Sequence, residues 1–505
     1  MKHLLTLFSI WASLNIAVAQ NGPIGIFQSG SDIGNPKKPG TTIFNKQDQS
    51  YTLTGAGYNI WFERDEFHYL SNKIKGDFIL TANFGFKGKG TESHRKTGWM
   101  IRESTDEKSP HITATLHGDG MTCLQWRGSQ GAAMRDPQDE IFATDSAYNV
   151  IQLERVGKEI IMRAAHFGEP FEIIGSHVME NMPDEVLVGP YICSHNVDVI
   201  EEVNVWNVRI DRPLGNDPAL ARSTPVGCRM ETMTVSDGMR KVIYEKQGRF
   251  EAPNWMPDGK KLLFNMDGSL FKIPVEGGEV EKLNTGTANR LNNDHGISFN
   301  GKLLAISSSV SGGGSGVYIL PLTGGEPKLI TEGTPSYWHG WAPNNKEVVY
   351  VARRNGKTEY NIYRNSIEGG KEVALTDIKA GEHVDGCEYS PDGKYIYYNG
   401  NHTGTMQIWR IKPDGSGREQ LTFDEYNDWF PHISPDGKWI VIISFPPDID
   451  PNSHPSYKRV MLRIMPASGG EPKVIAYLYG GQGTINVPSW SPDSKQISFV
   501  SNSGI

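Results

Sequence analysis

Cysteine is scarce in this chain, and its spacing argues against one large class of sites. The 505 residues include only four cysteines, at Cys123, Cys193, Cys228 and Cys387. No two of them have the C-x2-C spacing of thiolate zinc sites, which argues against a structural zinc. Cys123 and Cys193 fall in one predicted domain and would be free to pair. Isolated buried thiols are the favoured interpretation.

The chain also lacks a basic tract and any long apolar run after its first twenty residues. Its formal net charge is −8 and its pI is near 6.0, with acidic and basic residues mixed along its length. Nucleic acid and anionic membrane surfaces are therefore poor candidates as partners. No later stretch reaches the roughly 20 apolar residues that a transmembrane helix needs, so we expect no membrane span.

The first 19 residues have the pattern of a cleavable signal peptide. Lys2 and His3 give a short positive start, residues 4–12 are apolar, and residues 17–19 (Ala-Val-Ala) provide the small-x-small cleavage pattern. Gln20 is then the predicted mature N-terminus, and no cysteine lies near it to carry a lipid anchor. We therefore expect a periplasmic or secreted protein.

Turn-forming residues are abundant. The sequence holds 56 glycines and 30 prolines with 37% hydrophobic residues, a balance typical of a turn-rich all-β protein. Its length suits two domains of about 200–280 residues. We therefore predict an all-β chain of two domains.

A repeat defines the second half of the chain. An aromatic or aliphatic residue, a small spacer and a Pro-Asp-Gly-Lys turn precede an alternating strand, and copies recur every 42 to 57 residues. This period is that of a four-stranded propeller blade. The fourth residues of the six copies are Asp258, Asn300, Asn344, Asp392, Asp436 and Asp493.

These repeats resemble the TolB family of six-bladed β-propellers over residues 228–505. The resemblance implies the fold and says little about function, because such propellers serve binding proteins and enzymes alike. The segments 230–235 and 240–245 flank a Ser-Asp-Gly turn and have the size to complete the sixth blade. TolB itself carries a small α/β domain before its propeller, and no such domain is indicated here, so a Tol–Pal role does not follow.

The first half, residues 20–210, shows short strands between Gly- and Asp-rich turns. Its order of strands resembles that of concanavalin-like (jelly-roll, lectin-like) β-sandwiches, which are found beside carbohydrate-active domains. The proline-rich residues 211–227 are the predicted linker to the second half. Such sandwiches bind sugars through aromatic rings and polar groups. Trp61 and Arg64 are the preferred candidates, and the wider set is His68, Trp99, Arg102, His117, Trp126 and Arg127. The favoured alternative for Trp99 and Trp126 is that they are core residues of alternating strands.

Polar and aromatic residues recur just before the innermost strand of each predicted blade. Counted back from the repeat turns, they should ring one mouth of the central channel, where a sugar or metal site is expected. Candidate ligand-binding residues at this mouth are Glu251, Asp294, Trp338, Trp429, Gln482 and Asn486.

Three histidines of the same ring suggest a divalent metal. His295, His339 and His432, with Asp294 or Asp385, would supply its ligands. The segment around His432 resembles a repeat of the metal-dependent oligogalacturonate lyases. That resemblance rests on His432 and implies a lyase. The positions of His339 and Asp385 in the same ring add them as further catalytic candidates. The alternative is that these histidines make hydrogen bonds between blades.

Three functions follow as hypotheses. The leading one is an exported carbohydrate-recognition protein that binds a glycan through the sandwich, the channel mouth or both. The second is a metal-assisted uronate lyase or related sugar-active enzyme at the mouth. The third is a non-catalytic envelope scaffold that binds a protein partner.

Overall fold

The computed structural model describes residues 20–214 and 226–504, which fold into strands and turns without a helix. The predicted signal peptide, residues 1–19, lies outside the described residues. Most of the predicted linker also lies outside them, because the last strand of the first half ends at Asp211 and the next begins at Val226.

The N-terminal domain consists of fifteen strands in two antiparallel sheets. One sheet has the order β1-β2-β5-β14-β7-β8-β9-β10 and the other β13-β12-β11-β6-β15-β4-β3. The bounds are β1 Gln20–Ile24, β2 Phe27–Ile33, β3 Thr41–Asn45, β4 Ser50–Gly57, β5 Phe67–Lys75, β6 Phe78–Phe86, β7 Lys96–Arg102, β8 His111–His117, β9 Thr122–Arg127, β10 Glu140–Phe142, β11 Val150–Val156, β12 Glu159–Ala165, β13 Glu172–Val178, β14 Glu185–Cys193 and β15 Asn196–Asp211.

The two sheets share one hydrophobic core. Trp99 and Leu124 of the eight-stranded sheet pack with Phe84, Leu153 and Val205 of the seven-stranded sheet, and all five are buried. The hydrophobic effect on this common core holds the sheets together. The finer assignment to a concanavalin-like or jelly-roll topology stays a prediction.

The second half is a six-bladed propeller, as the repeats predict. Five blades have four strands each, and the last combines β16 and β17 with β38. The bounds are β16 Val226–Thr234, β17 Arg240–Gln247, β18 Phe250–Trp255, β19 Lys261–Met266, β20 Ser269–Pro274, β21 Glu281–Lys282, β22 Leu291–Ile297, β23 Leu303–Ser309, β24 Ser315–Pro321, β25 Lys328–Leu329, β26 Ser336–Trp341, β27 Glu347–Ala352, β28 Asn361–Ser366, β29 Val373–Ala374, β30 Val384–Tyr389, β31 Ile396–Gly400, β32 Gln407–Ile411, β33 Glu419–Gln420, β34 Asn427–Ile433, β35 Trp439–Phe445, β36 Lys458–Pro466, β37 Lys473–Gly480 and β38 Gln496–Gly504.

The ring closes where β16 pairs with β38 along nine residues, from Val226 opposite Gly504 to Thr234 opposite Gln496. The predicted closure by segments 230–235 and 240–245 is thereby confirmed. Because β16 and β38 pair with each other, no unpaired strand edge lies between them where the ring closes.

The repeated turns hold their shape through local side-chain bonds. In the fifth blade, the Ser434 hydroxyl donates to Asp436, which accepts the Lys438 amide, while Gly437 has φ +71°. Ser390 and Asp392 repeat the arrangement in the fourth blade. An Asp or Asn that caps the turn and a following residue with positive φ, in most copies a glycine, explain why this motif marks each blade.

A buried ion network joins the two domains at the closing blade. Glu231 of β16 accepts hydrogen bonds from Arg209 of β15 and Arg240 of β17, and from the Ser501 hydroxyl of β38. Burial raises the pKa of Glu231, but the two arginines outweigh it and hold the pKa well below its usual range. One carboxylate therefore ties the N-terminal domain to both strands that close the ring.

All four cysteines are buried and free. Cys123 and Cys193 do not pair, which agrees with the favoured interpretation of isolated thiols. In the part of the chain that the structure describes, we find no helix long and apolar enough to cross a membrane.

Candidate functional site

The innermost strands of the propeller carry a bulge at a recurring position. Pairing with the second strand shifts register between Glu251 and Asn254, between Asp385 and Glu388, and between Trp429 and His432. Inside these bulges Ala252, Gly386 and Phe430 adopt φ of +57°, +59° and +53°. Bulges re-aim side chains, and here they fall at the channel mouth.

A cavity of about 270 Å³ lies at this mouth. It collects carboxyl, imidazole, amide and aromatic groups from several blades. The residues that line it include Asp294, Tyr337, His339, Tyr360, His383, Asp385, Phe430, His454, Gln482 and Asn486.

The electrostatic centre of the cavity is an ion pair between two blades. His339 Nε2 lies 2.7 Å from Asp385 Oδ1, and His454 Nε2 lies 3.9 Å from Asp385 Oδ2. Burial acts to raise the pKa of Asp385, but His339 outweighs it and the pKa lies well below its usual range. Burial acts to lower the pKa of His339, yet Asp385 raises it overall. Each partner therefore favours the ionised form of the other.

The pKa of Asp294 is shifted in the opposite direction from that of Asp385. Burial, with a smaller contribution from Asp385, raises its pKa to about 7, even though His339 acts to lower it. The Asn292 amide donates to Asp294 Oδ2 at 2.7 Å. Two carboxyl groups in one cavity thus differ in protonation near pH 7: Asp385 is ionised and Asp294 is partly protonated.

Glu251 lies beside the cavity. Asn293, a lining residue, donates its amide to Glu251 Oε2 at 3.0 Å, and burial raises the pKa of Glu251. At the entry to the sixth blade, the Asn486 side-chain amide donates a hydrogen bond to Gln482 Oε1 at 2.9 Å. Asn486 Oδ1 accepts a hydrogen bond from the Gly483 backbone N–H. Amide groups therefore orient the polar wall of the mouth.

An insertion in the fifth blade reaches over the mouth. Residues 446–457 join β35 to β36 and bring His454 into the cavity. Gly481 permits this approach, since it has φ +124° and a Cβ there would come within 2.0 Å of the Pro455 carbonyl oxygen. The Gln482 backbone N–H donates a hydrogen bond to the same carbonyl oxygen at 3.3 Å. This bond connects the insertion to the segment that enters the sixth blade.

Aromatic rings form the remaining wall. Tyr337 and Tyr360 lie 5.9 Å apart between ring centroids, and the Phe430 ring lies 6.4 Å from His339. Two imidazole nitrogens in the cavity, His383 Nε2 and His454 Nδ1, are buried without a hydrogen-bond partner. The mouth thus offers flat apolar surfaces next to unpartnered polar atoms.

The three histidines of the metal hypothesis do not come together. Only His339 lines the cavity. His432 uses both ring nitrogens, with Nδ1 2.7 Å from Glu388 Oε2 and Nε2 2.6 Å from the Ile485 carbonyl oxygen. His295 is fully buried and its Nδ1 lies 3.0 Å from the Asn293 carbonyl oxygen. Among residues 20–214 and 226–504, no group of three or more His, Cys, Asp or Glu has an arrangement that could hold a metal ion.

The predicted tryptophans lie behind the mouth. Trp338 is 1% exposed and packs so tightly on Gly296 that a Cβ there would come within 1.8 Å of its ring. Trp429 is fully buried, and its ring contacts His454 at a centroid distance of 4.4 Å. Both therefore support the wall, and Trp429 positions a lining histidine.

Trp61 and Arg64 lie in the N-terminal domain and are partly exposed. Arg64 forms a 3.1 Å ion pair with Glu66 and its guanidinium lies 4.3 Å from the Tyr58 ring centroid. The Trp61 ring lies 5.7 Å from the ammonium of Lys96. They form no part of the propeller mouth.

Sequence reasoning placed Asp294, His339, Asp385, Gln482 and Asn486 at the mouth, and all five line the cavity. It did not assign His383 or Tyr360 to the site. The unusual length of the fifth blade was the available signal for His454.

Comparison with known proteins agrees with the fold. No model of a known protein family matches the chain. An uncharacterized protein of Agrobacterium fabrum is 44% identical over 272 residues, which are 54% of this chain and 91% of the relative. A solved structure from Agrobacterium tumefaciens, assigned to TolB, is 42% identical with a TM-score of 0.53 and covers 55% of this chain and 99% of that one.

The second half is thus a TolB-like six-bladed propeller. The chain belongs to the family that includes these two Agrobacterium proteins. The Tol-Pal system protein TolB of Anaeromyxobacter dehalogenans is 28% identical over 108 residues, which are 21% of this chain and 24% of that protein. That shorter match covers about a quarter of TolB.

Proposed function

We propose that the propeller mouth binds a small polyhydroxylated ligand, a saccharide, in an exported protein. The observation that carries the proposal is the cavity itself, where unpartnered imidazole nitrogens of His383 and His454 lie beside the rings of Tyr337, Tyr360 and Phe430. Ligand sites combine apolar and aromatic walls with a few placed polar groups.

The charges favour a ligand without strong net charge. The Asp385 carboxylate is balanced by His339 at 2.7 Å, and Asp294 with a pKa of about 7 is partly neutral. Hydroxyl groups can both donate and accept, so they suit a site with carboxylate acceptors, amide groups and imidazoles. A bound saccharide would also satisfy buried polar atoms that otherwise cost free energy.

The location of the protein follows the same reasoning. TolB homologues are periplasmic, which supports a periplasmic location for this chain. The signal-like residues 1–19 support export. We propose that the mature protein meets its saccharide in the periplasm or outside the cell.

The direct test is calorimetric titration of the mature protein with maltotriose, cellotriose and chitotriose. We expect at least one to bind, and Asp385→Asn and His454→Ala to weaken that binding by about tenfold or more, equal to about 1.4 kcal/mol. Asp377→Asn is the matched control, because this propeller carboxylate pairs with Lys357 and is 84% exposed. No binding by any probe, or binding that neither mouth variant changes, would contradict the proposal.

A sugar-active enzyme is the second candidate, supported by the contrast between Asp294 and Asp385. Carboxyl groups with pKa values far apart are the usual pairing for acid–base chemistry. If a probe that binds is also turned over, the rate should depend on a group that titrates near pH 7 and should fall in Asp294→Asn. Binding without turnover would leave recognition as the function, and capture of a protein with no saccharide affinity would favour the scaffold.

A further inference from the structure

A second cluster of basic side chains lies in the N-terminal domain. Lys96 begins β7, and its backbone pairs with His117 of β8 on one side and Cys193 of β14 on the other. The rings of His94 and His117 lie 5.6 Å apart, and those of His94 and His195 also lie 5.6 Å apart. We call Lys96, His94, His117 and His195 the Lys96 cluster.

Lys96 is a buried ammonium without a carboxylate partner. It is 4% exposed, and its Nζ donates to Asn59 Oδ1 at 2.9 Å and to the Ile60 carbonyl at 3.3 Å. Among the described residues no ion pair includes Lys96, and both of its hydrogen-bond acceptors are neutral. Burial lowers the pKa of Lys96. A buried cation held only by neutral acceptors is costly, and a bound anion would offset that cost.

The histidines around it have free nitrogens. His117 is 4% exposed, with Nε2 3.8 Å from Cys123 Sγ and with Nδ1 buried and unpartnered. His195 Nδ1 is also buried without a hydrogen bond, and Glu92 Oε1 is 3.9 Å from it. Lys96 and its cross-strand partner His117 lie on the same face of the sheet. The His94 ring lies next to both His117 and His195, which brings the second imidazole to the cluster.

The cluster is open to solvent at one side. His94 is exposed, the His195 side chain is 27% exposed, and Trp61 is partly exposed. The Trp61 ring centroid lies 5.7 Å from Lys96 Nζ. An aromatic ring next to a cation provides a flat apolar surface beside a charged group.

We propose that the Lys96 cluster binds the oxyanion of an acidic saccharide, with the Trp61 ring against the sugar. This site is separate from the propeller mouth and takes a different chemistry: an anionic sugar here, a neutral one there. Lys96 supplies the charge, and His117 and His195 supply hydrogen bonds. The exposed His94 lies at the entrance.

The test is titration of the mature protein with glucuronate, glucose 6-sulfate, glucose and acetate. We expect glucuronate or the sulfate to bind at least tenfold more tightly than glucose, and the preferred one of the two identifies a carboxylate or a sulfate as the natural group. Acetate that binds as tightly as glucuronate would overturn the role of Trp61. Absence of binding by both acidic sugars would overturn the proposal.

Variants separate binding from folding. Lys96→Met should abolish acidic-sugar binding while keeping or raising the melting temperature, because an apolar side chain of similar length replaces a buried charge. Trp61→Ala should weaken binding to a smaller extent. The control Lys73→Met removes an exposed lysine that pairs with Glu185 in the same domain and should change neither. Acidic-sugar binding that survives in Lys96→Met would overturn the assignment.

The two proposals fail independently. Loss of acidic-sugar binding in Lys96→Met should leave maltotriose, cellotriose or chitotriose binding unchanged. Asp385→Asn should in turn leave glucuronate binding unchanged. If Asp385→Asn removed glucuronate binding, the acidic sugar would belong to the propeller mouth and the site in the N-terminal domain would be disproved.

Discussion

The two domains each bury an aspartate beside a histidine, but in different settings. In the N-terminal domain Asp65 accepts two hydrogen bonds of 2.7 Å from Arg127, with Arg102 at 3.3 Å and His111 at 3.4 Å, and none of these side chains is exposed. In the propeller Asp385 has His339 as its close partner and faces a cavity.

The difference distinguishes a structural carboxylate from one available to a ligand. Burial raises the pKa of Asp65, but His111 and both arginines outweigh it and lower the pKa overall. Its acceptor capacity is used by the protein itself. Asp385 keeps capacity for a ligand because fewer groups surround it. Burial and a histidine alone therefore do not identify a functional carboxylate.

Removing the buried Asp65 carboxylate should have the largest effect on the free energy of unfolding. Asp65→Asn leaves Arg102 and Arg127 buried without a counter-ion, so we expect a loss of ~3–5 kcal/mol in the free energy of unfolding. Asp385→Asn should cost about 1–2 kcal/mol, since the cavity admits water to His339. Urea denaturation followed by tryptophan fluorescence measures both. Equal losses would show that the two settings do not differ.

The next effect depends on pH. The folded-state pKa of Asp294 is raised from 3.8 to about 7, so its stabilising contribution is complete below the unfolded value and is lost as pH rises from about 4 to 7. Asp294→Asn should therefore be more stable than the parent at pH 8 by on the order of 2–4 kcal/mol, with little gain at pH 4. Urea midpoints across this range provide the check, and a pH-independent difference would contradict the raised pKa.

A smaller effect is expected at His432. Its ring bridges Glu388 and the Ile485 carbonyl between blades, so His432→Ala should lower the free energy of unfolding by about 1–3 kcal/mol. Saccharide binding at the mouth should be retained in the variant that remains folded. Loss of saccharide binding with unchanged stability would instead indicate that His432 belongs to the binding site.

The smallest effect belongs to an exposed pair. Lys37 and Asp198 form an ion pair in the N-terminal domain with side chains 65% and 62% exposed. Lys37→Ala should change the free energy of unfolding by less than about 0.5 kcal/mol, because water screens exposed pairs. Thermal melting at low and high salt measures this. A loss comparable to that of Asp65→Asn would undermine the role given to burial.

The propeller was predictable because its signal is local and repeated. Each turn needs an Asp or Asn that caps it and a residue that accepts positive φ, so the motif is recognisable in the sequence of every blade. Counting back from Asp392 reaches Asp385 at the mouth, since the inner strands share one register. The bulges limit this reasoning, because they place Trp338 in the core and the adjacent His339 in the cavity.

Long-range partners were not predictable. Arg102 and Arg127 look like ligand-binding residues in the sequence, yet both are held by Asp65, which lies 37 and 62 residues away. His454 reaches the mouth through an insertion that follows no repeat. Neither pairing leaves a periodic signal, so only the folded arrangement shows which charges are occupied and which remain available.

The ring closure described above has a kinetic consequence. Ser501 and Glu231 meet across 270 residues of chain, so the β16–β38 ladder forms only after a large loss of loop entropy. Such non-local pairing slows folding. Once the ladder and the Arg209–Glu231–Arg240 network have formed, the propeller opens only if they break together. We therefore expect the closed ring to resist unfolding and proteolysis through a slow opening rate, independent of how stable any single blade is.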